Sequence, residues 1–286
     1  MNVALWKKSW NESRWLLAGC MAIMFVAHWL RVWLSSYLPS QDLASMLSFL
    51  PEFIEPLLPV SYKQIATPAG KIAAAYDDPI VLLLVTVWAI SRGSDAVSGE
   101  VNRGTMEMVL AQPVTRLGVL GTQSAMTLLG AIALGATALA GTALGLATIA
   151  LEETVSASVF VPAALNLTAV TVFLAGVTTM VSSASNSRGH TIGVVGGFYA
   201  FSMLLKAIGR LAPGWKWLNY ISYFTAFEPQ LLVGDPKRAW IWWSATADGS
   251  FELGGLGYDS ILIGLGLLFY LVALGIFYRR DLPAPL

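Results

Sequence analysis

An uncharged stretch of 35 residues, 117–151, constrains the fold of this chain more than any other feature of its sequence. A water-soluble domain carries a charge at about one position in four, so this stretch cannot lie on a surface that faces water. A helix needs roughly 20 mainly apolar residues to cross a bilayer. The stretch is too long for one perpendicular crossing and too short for two with a turn. It therefore predicts one long helix that tilts or protrudes from the membrane.

The rest of the chain also has the composition of a membrane protein. Of its 286 residues, 56% are hydrophobic and only 12% are charged, which is about half the charge density of a soluble domain. The apolar runs predict an all-α, polytopic fold with six transmembrane helices, forming one domain over residues 1–286. The predicted spans are residues 15–34, 79–98, 117–150, 159–182, 190–209 and 259–278.

The distribution of Lys and Arg predicts the orientation of these spans. With both termini inside, the inner segments hold nine basic residues, whereas the outer segments hold eight over about twice the length. Basic residues in short segments near helix ends mark the cytoplasmic side. We therefore expect cytoplasmic N- and C-termini, with a short tail at 279–286, in the inner or plasma membrane. The nine residues are Lys7, Lys8, Arg14, Arg92, Arg103, Arg116, Arg188, Arg279 and Arg280.

The N-terminal segment, residues 1–14, predicts a short amphipathic helix in the lipid headgroups before the first span. Trp6 and Trp10 are four residues apart, whereas Lys7 and Lys8 fall on other faces of a helix. A simple charged tail is the alternative interpretation of this segment.

Leu17-Ala18-Gly19-Cys20 resembles the cleavage box of a bacterial lipoprotein. A signal peptide needs about 7–15 apolar residues before its cleavage point, but here the charged Arg14 lies close before the box and the apolar run continues past Cys20. We therefore expect an uncleaved first span. A single cysteine also excludes an intramolecular disulfide.

Two long outer segments are predicted at residues 35–78 and 210–258. The first contains an apolar stretch broken by prolines, 46–59, which indicates a small cap or interfacial helices rather than a flexible linker. The second is rich in tryptophan, which collects at membrane interfaces, and it could form a re-entrant hairpin. Its tryptophans are Trp215, Trp217, Trp240, Trp242 and Trp243.

Glycines at four-residue spacing mark the third and fifth predicted spans. Small residues at this spacing let helices approach closely where lipid replaces water. The pattern fits a dimer interface or mobile helix pair, but ordinary packing within the bundle is the favoured interpretation. The glycines are Gly141 and Gly145 in the third span, and Gly189, Gly193 and Gly197 in the fifth region.

The segment 99–116, between the second and third spans, is the most informative part of the chain. Gly104 interrupts the helix, and Thr105 is expected to cap a new short helix with Glu107 in its first turn. Pro113 ends that helix, and Arg116 stands where the chain returns to the membrane. The side chains of Met106, Val109 and Leu110 fall on one face. This face is expected to be held by a soluble partner, although a helix lying on the bilayer is the alternative.

The same segment reads Glu-x-x-Arg-Gly-Thr-Met-Glu-x-x-Leu-Ala-x-Pro-Val-Thr-Arg from Glu100 to Arg116. It resembles the cytoplasmic signature of ABC-2-type transporter permeases. The basic, tryptophan-containing start of the chain is similar to the elbow helix of that family. The segment 217–229 is similar to the connection between its last two spans.

The resemblance implies a permease that works as a dimer with an ABC ATPase on each copy. The second permease chain is a copy or a paralogue. The short helix at 105–111 is implied to be a coupling helix that sits in a groove of the ATPase, with Glu100 and Arg103 as an ion pair or as partner contacts. The chain has no phosphate-binding loop of the Gly-x-x-x-x-Gly-Lys-[Ser/Thr] type, so ATP and Mg²⁺ are expected on the ATPase and no cofactor on this chain.

Other function classes have less support in the sequence. The two histidines, His28 and His190, lie far apart, and no nucleophile elbow occurs, so we expect neither an enzyme nor a metal site. Zero net charge gives a nucleic-acid partner no electrostatic support. The main prediction is thus an ABC-2 permease, with an exporter as the expected type. A membrane anchor or assembly subunit that translocates nothing is the alternative, and no inverted repeats support a secondary transporter.

Overall fold

The computed structural model describes residues 3–49, 58, 60–245 and 251–280. Parts of the predicted segments 1–14, 35–78, 210–258 and 279–286 therefore lie outside the described residues. Within the described ranges, six helices are long and apolar enough to cross a membrane, which confirms the all-α polytopic fold. They are α1 (Val3–Tyr37), α5 (Pro79–Ser94, continued to Asn102), α8 (Arg116–Thr148), α9 (Val161–Ala184), α10 (Arg188–Leu211) and α13 (Gly255–Arg279).

Helix α9 forms the centre of the bundle because it is apolar on all sides and most of its residues are buried. It packs against α13 most extensively, and also against α5, α8 and α10. Glycine permits the closest of these approaches. A Cβ atom added to Gly176 of α9 would lie 2.3 Å from the Gly266 carbonyl oxygen of α13, so the two backbones are in direct contact.

The first helix differs from the expected division into an elbow at 1–14 and a span at 15–34. Helix α1 runs without a break from Val3 to Tyr37. The physical reason is that this stretch contains no proline and only one glycine, Gly19, so nothing interrupts its hydrogen bonds. One face of α1 is buried along its whole length and packs against α8.

The second spanning helix contains a π-helical turn, Asp95–Gly99, which the sequence did not predict. The turn is followed by α6 (Glu100–Asn102), and a separate short helix, α7 (Met106–Leu110), precedes α8. All five residues of the π-turn are buried. Isolated π-turns inside α-helices occur frequently at functional sites.

The two outer segments form short elements at the opposite end of the bundle from the start of α1 and the end of α13. The described part of the first contains α2 (Ser40–Ser48), α3 (Tyr62–Ile65) and α4 (Pro68–Ala73). The second contains two 3₁₀ helices, Pro213–Tyr220 and Tyr223–Ala226, then α11 (Pro229–Gly234), α12 (Pro236–Ala239) and an antiparallel pair of β1 (Trp243–Ala245) and β2 (Phe251–Leu253). The five tryptophans singled out in this segment are all exposed.

Candidate functional site

The short helix α7 is held between two spanning helices by tight turns. Gly104 has a φ of 68°, a left-handed conformation that glycine adopts without strain. The backbone N–H of Thr105 donates to the Glu100 carbonyl oxygen at 3.0 Å, which closes the end of α6. After α7, the Thr115 hydroxyl accepts from the Gly118 N–H at 3.0 Å and caps α8. These two turns therefore restrict how far α7 can move relative to the spanning helices.

Thr105 does not cap α7 as the sequence predicted. Its backbone is already helical, with φ −90° and ψ −14°, whereas a capping residue is normally extended. Its hydroxyl instead donates to the Glu100 carboxylate. The prediction of a side-chain cap at Thr105 is therefore wrong, and this side chain belongs to a cluster of polar groups around Glu100.

The apolar face of α7 points into the protein rather than toward a partner, which corrects the expectation from the sequence. Met106 is 2% exposed and packs against Leu120 and Phe277 in a small core, with Leu110 at its edge. The apolar face of α7 is thus covered by residues at the start of α8 and at the end of α13. Facing outward are Glu107, Met108, Ala111, Gln112 and Pro113, a set that we call the outward surface of α7. Met108 is its most prominent apolar side chain and is 64% exposed.

Glu100 joins three parts of the chain at the base of α7. Its side chain is buried, and Oε1 lies 2.5 Å from Lys8 Nζ of α1 and 3.3 Å from Arg103 Nη2. The predicted pairing of Glu100 with Arg103 therefore extends to α1. Because a buried carboxylate is stable only with such partners, Glu100 fixes the start of α1 against the α7 segment.

Asp95, in the π-turn, is a second centre of charge. Its carboxylate lies 2.6 Å from Arg103 Nη1, 3.7 Å from Arg188 Nη1 and 3.8 Å from Arg92 Nη1. The hydrogen bond and charge of Asp95 raise the pKa of Arg103 above its ordinary value. A Cβ on Gly99 would lie 2.4 Å from Asp95 Oδ1, so only glycine at this position leaves room for the carboxylate.

Arg92 extends the cluster deep into the bundle. It is 3% exposed, and its Nη2 donates to Gln123 Oε1 of α8 at 2.6 Å and to Ser9 Oγ of α1 at 3.2 Å. The charged side chains therefore connect α1, the second span, the turn before α7, α8 and the start of α10. We refer to them as the ion-pair network, which consists of Lys8, Arg92, Asp95, Glu100, Arg103 and Arg188.

Among the remaining residues singled out from the motif, Arg116 anchors the segment to the bundle. Arg116 donates to the Phe277 carbonyl oxygen at 3.3 Å, so it ties the start of α8 to the end of α13. Val109 is half-buried, and Pro113 is exposed after the last turn of α7. Lys8, Arg92, Asp95 and Arg188 were not predicted as site residues. The three-residue spacings of Arg92 with Asp95 and of Glu100 with Arg103 were the local signals for the cluster.

The two sets of glycines lie in different surroundings. A Cβ on Gly141 would lie 2.6 Å from the Phe25 carbonyl oxygen, and one on Gly145 would lie 2.7 Å from Val32 Cβ, so this pair packs against α1. By contrast, Gly193 and Gly197 have no atom within 4 Å of an added Cβ, and Gly189 has only Ser187 Oγ at 3.7 Å. The α10 glycines form an exposed row that nothing in the described part of the chain covers.

A second polar cluster lies at the opposite end of the bundle. Glu228 accepts from Arg210 at 2.6 Å and lies 3.1 Å from Lys206 Nζ. Burial raises the pKa of the nearby Asp77 to about 6, and the charge of Lys206 opposes that rise. Asn166 of α9 donates to Asp259 of α13 at 2.8 Å. These contacts hold the second outer segment across the ends of α9, α10 and α13.

Comparison with known proteins supports the family resemblance that the segment 99–116 suggested. A family model described as "ABC-2 family transporter protein" matches residues 12–282, which is nearly the whole chain. No curated protein matches it. Among the described residues no group of three or more His, Cys, Asp or Glu side chains could hold a metal ion.

Proposed function

The chain belongs to the ABC-2 transporter family, and we propose that it is the permease subunit of an ATP-driven exporter whose ATPase is a separate polypeptide. Family membership makes the chain a component of membrane transport that associates with an ABC ATPase. The phosphate-binding loop is absent from its sequence, so ATP and Mg²⁺ are assigned to the partner.

The observation that carries this proposal is the outward surface of α7. It presents an exposed methionine beside an exposed glutamate on a helix that is joined to the bundle at both ends. A partner that grips this surface cannot displace it without moving the spans, because the turns at Gly104 and Thr115 leave little free chain. We propose that this surface docks on the ATPase in the cytoplasm, with both termini on the same side.

The ion-pair network links the turn before α7 to the membrane-spanning helices, so it could transmit a displacement of α7 to them. Arg103 immediately precedes Gly104 in the turn before α7 and contacts Asp95 and Glu100. Asp95 in turn contacts Arg188 at the start of α10, and Glu100 contacts Lys8 near the start of α1. We propose that closure of the ATPases around ATP pushes α7 and that this network moves α1 and α10 with it. To shift the population usefully, ATP binding must favour one state by a few kcal/mol.

The direct test is reconstitution of the purified chain with an ABC ATPase, sought first among the genes that neighbour its own. We expect a stable complex whose ATP hydrolysis in proteoliposomes exceeds that of the ATPase alone. Arg103→Cys should be labelled by a membrane-impermeant thiol reagent only from the cytoplasmic side. An ATPase that neither binds the chain nor responds to it, or labelling from the outer side, would contradict the proposal.

We also propose that the α10 glycine row packs against a second copy of this chain. Gly189, Gly193 and Gly197 fall on one exposed face, flanked by exposed large apolar side chains such as Phe201 and Leu204. A row of glycines lets two helix backbones approach closely and gain dispersion contacts in lipid. A symmetric dimer uses the same face on both copies.

Gly193→Leu should weaken self-association of the chain at least about tenfold, because the added side chain separates the two helices. Size-exclusion chromatography in mild detergent measures the effect, and Gly264→Leu is the matched control, since Gly264 on α13 has equally open space. Oxidation of Gly193→Cys should yield a cross-linked dimer, with little background because the native Cys20 is buried. If both variants behave like Gly264→Leu and Gly264→Cys, the glycine row is not the interface.

A further inference from the structure

A cavity of about 580 Å³ lies beside the ion-pair network, between the first turns of α1, the end of the second span and α7. Its polar wall carries four basic and three acidic side chains, an excess of one positive charge. The wall also contains apolar side chains, among them Leu5, Leu16 and Met108. The cavity is therefore amphipathic and large enough for the headgroup of a lipid.

Two arginines at this cavity have unused hydrogen-bonding capacity. Arg92 Nε has no hydrogen-bond partner, although the residue is 3% exposed. The hydrogen bonds of Arg188 to Ser94 Oγ and Ser91 Oγ are long, at 3.3 and 3.4 Å. A guanidinium has five donors, and the nearest carboxylate, Asp95, has its short contact with Arg103. The site thus has donors for an additional anion.

An apolar groove adjoins the charged cavity. It has a volume of about 440 Å³ and shares Leu5 and Val114 with the cavity wall. No charged side chain lines it, and its walls include Trp6 and Leu117. Gly121, on its floor, has no atom within 4 Å of an added Cβ. The groove is open and uncharged, and it adjoins the charged cavity at Leu5 and Val114.

We propose that the cavity and the groove together bind one anionic phospholipid of the surrounding leaflet. Its phosphate contacts Arg188 and Arg92, and one acyl chain passes Leu5 into the groove over Gly121. Charge complementarity selects the anionic headgroup, and the uncharged groove selects the acyl chain. A role of this lipid in coupling rests on the proposed function, because the site is lined by Met108 of α7 and by Val114, which follows α7.

The binding test uses the full chain, purified with its ATPase, in detergent with equal amounts of phosphatidylglycerol and phosphatidylcholine. Native mass spectrometry should show phosphatidylglycerol retained about tenfold over phosphatidylcholine, the ratio given by roughly one charge-assisted contact. Arg188→Gln should abolish this preference, and Gly121→Leu should lower retention of the lipid by filling the groove. The matched controls are Arg14→Gln and Gly19→Leu, which alter exposed positions of α1 outside the site.

Three outcomes would overturn the lipid site. Equal retention of the two lipids removes the charge argument, and unchanged retention in Gly121→Leu removes the acyl groove. Inorganic phosphate that displaces the lipid at equal concentration would indicate a site for a free anion instead. Retention of the ATPase is scored in the same samples. Loss of the ATPase with lipid preference intact counts against the proposed function and leaves the lipid site standing.

Discussion

We expect Met108→Arg to weaken association of the chain with its ATPase at least about thirtyfold, with a matching loss of stimulated ATP hydrolysis. Met108 is 64% exposed at the centre of the outward surface of α7. A central apolar anchor of an interface is commonly worth about 2 kcal/mol. Arginine at this position cannot be desolvated without a counter-charge, so the change should remove the contact rather than reshape it. Co-purification with the ATPase measures the effect.

Two comparisons make this result specific. Met46→Arg alters an equally prominent methionine, 61% exposed on α2 at the opposite end of the bundle, and should leave the complex intact. Leu110→Ala should lower thermal stability instead, because Leu110 packs at the edge of the small core around Met106. If Met108→Arg folds normally and binds the ATPase as tightly as the native chain, the outward surface of α7 is not the docking site.

The spanning helices could be predicted from the sequence because the apolar runs that indicate them are local features. The uncharged run at 117–151 predicted a helix over 117–150, and the structure has α8 at Arg116–Thr148. The π-turn at Asp95–Gly99 could not be predicted, since its sequence is compatible with an ordinary continuation of the α-helix. Nor did the sequence distinguish an elbow from the continuous helix α1, because amphipathicity at 1–14 is compatible with both.

The candidate site was predictable in sequence position but not in orientation. The segment from Glu100 to Arg116 was singled out through turn chemistry and its motif, both of which are local. The inward direction of Met106 depends on Phe277, which is far away in the chain. The contact of Glu100 with Lys8 joins residues 92 positions apart. Pairings of this kind leave no periodic signal, so one sequence could indicate the segment but not the ion-pair network.

Among the residues of the ion-pair network, Asp95 should be the one whose substitution lowers stability most. Asp95→Asn keeps the shape of the side chain but removes the only carboxylate within 4 Å of Arg92 and Arg188 among the described residues. A buried cation left without its partner costs about 3–5 kcal/mol, and Arg92 is 3% exposed. We therefore expect the free energy of unfolding to fall by about 3 kcal/mol, measured by denaturant titration in detergent. Asp42→Asn, at an exposed position of α2, is the control and should have no measurable effect.

A double-mutant cycle with Arg103 separates the network from a general loss of stability. Arg103→Gln alone should cost less than about 1 kcal/mol, because the side chain is 42% exposed. The pair Asp95→Asn with Arg103→Gln should cost less than the sum of the two, since removing one cation relieves repulsion among those that remain. If α7 moves α10, ATP should change the yield of the cross-linked Gly193→Cys dimer. This response should disappear in Asp95→Asn, because the turn before α7 is then no longer tied to α10. A native-like free energy of unfolding and a native-like cross-linking response in Asp95→Asn would together show that these charges carry neither stability nor motion.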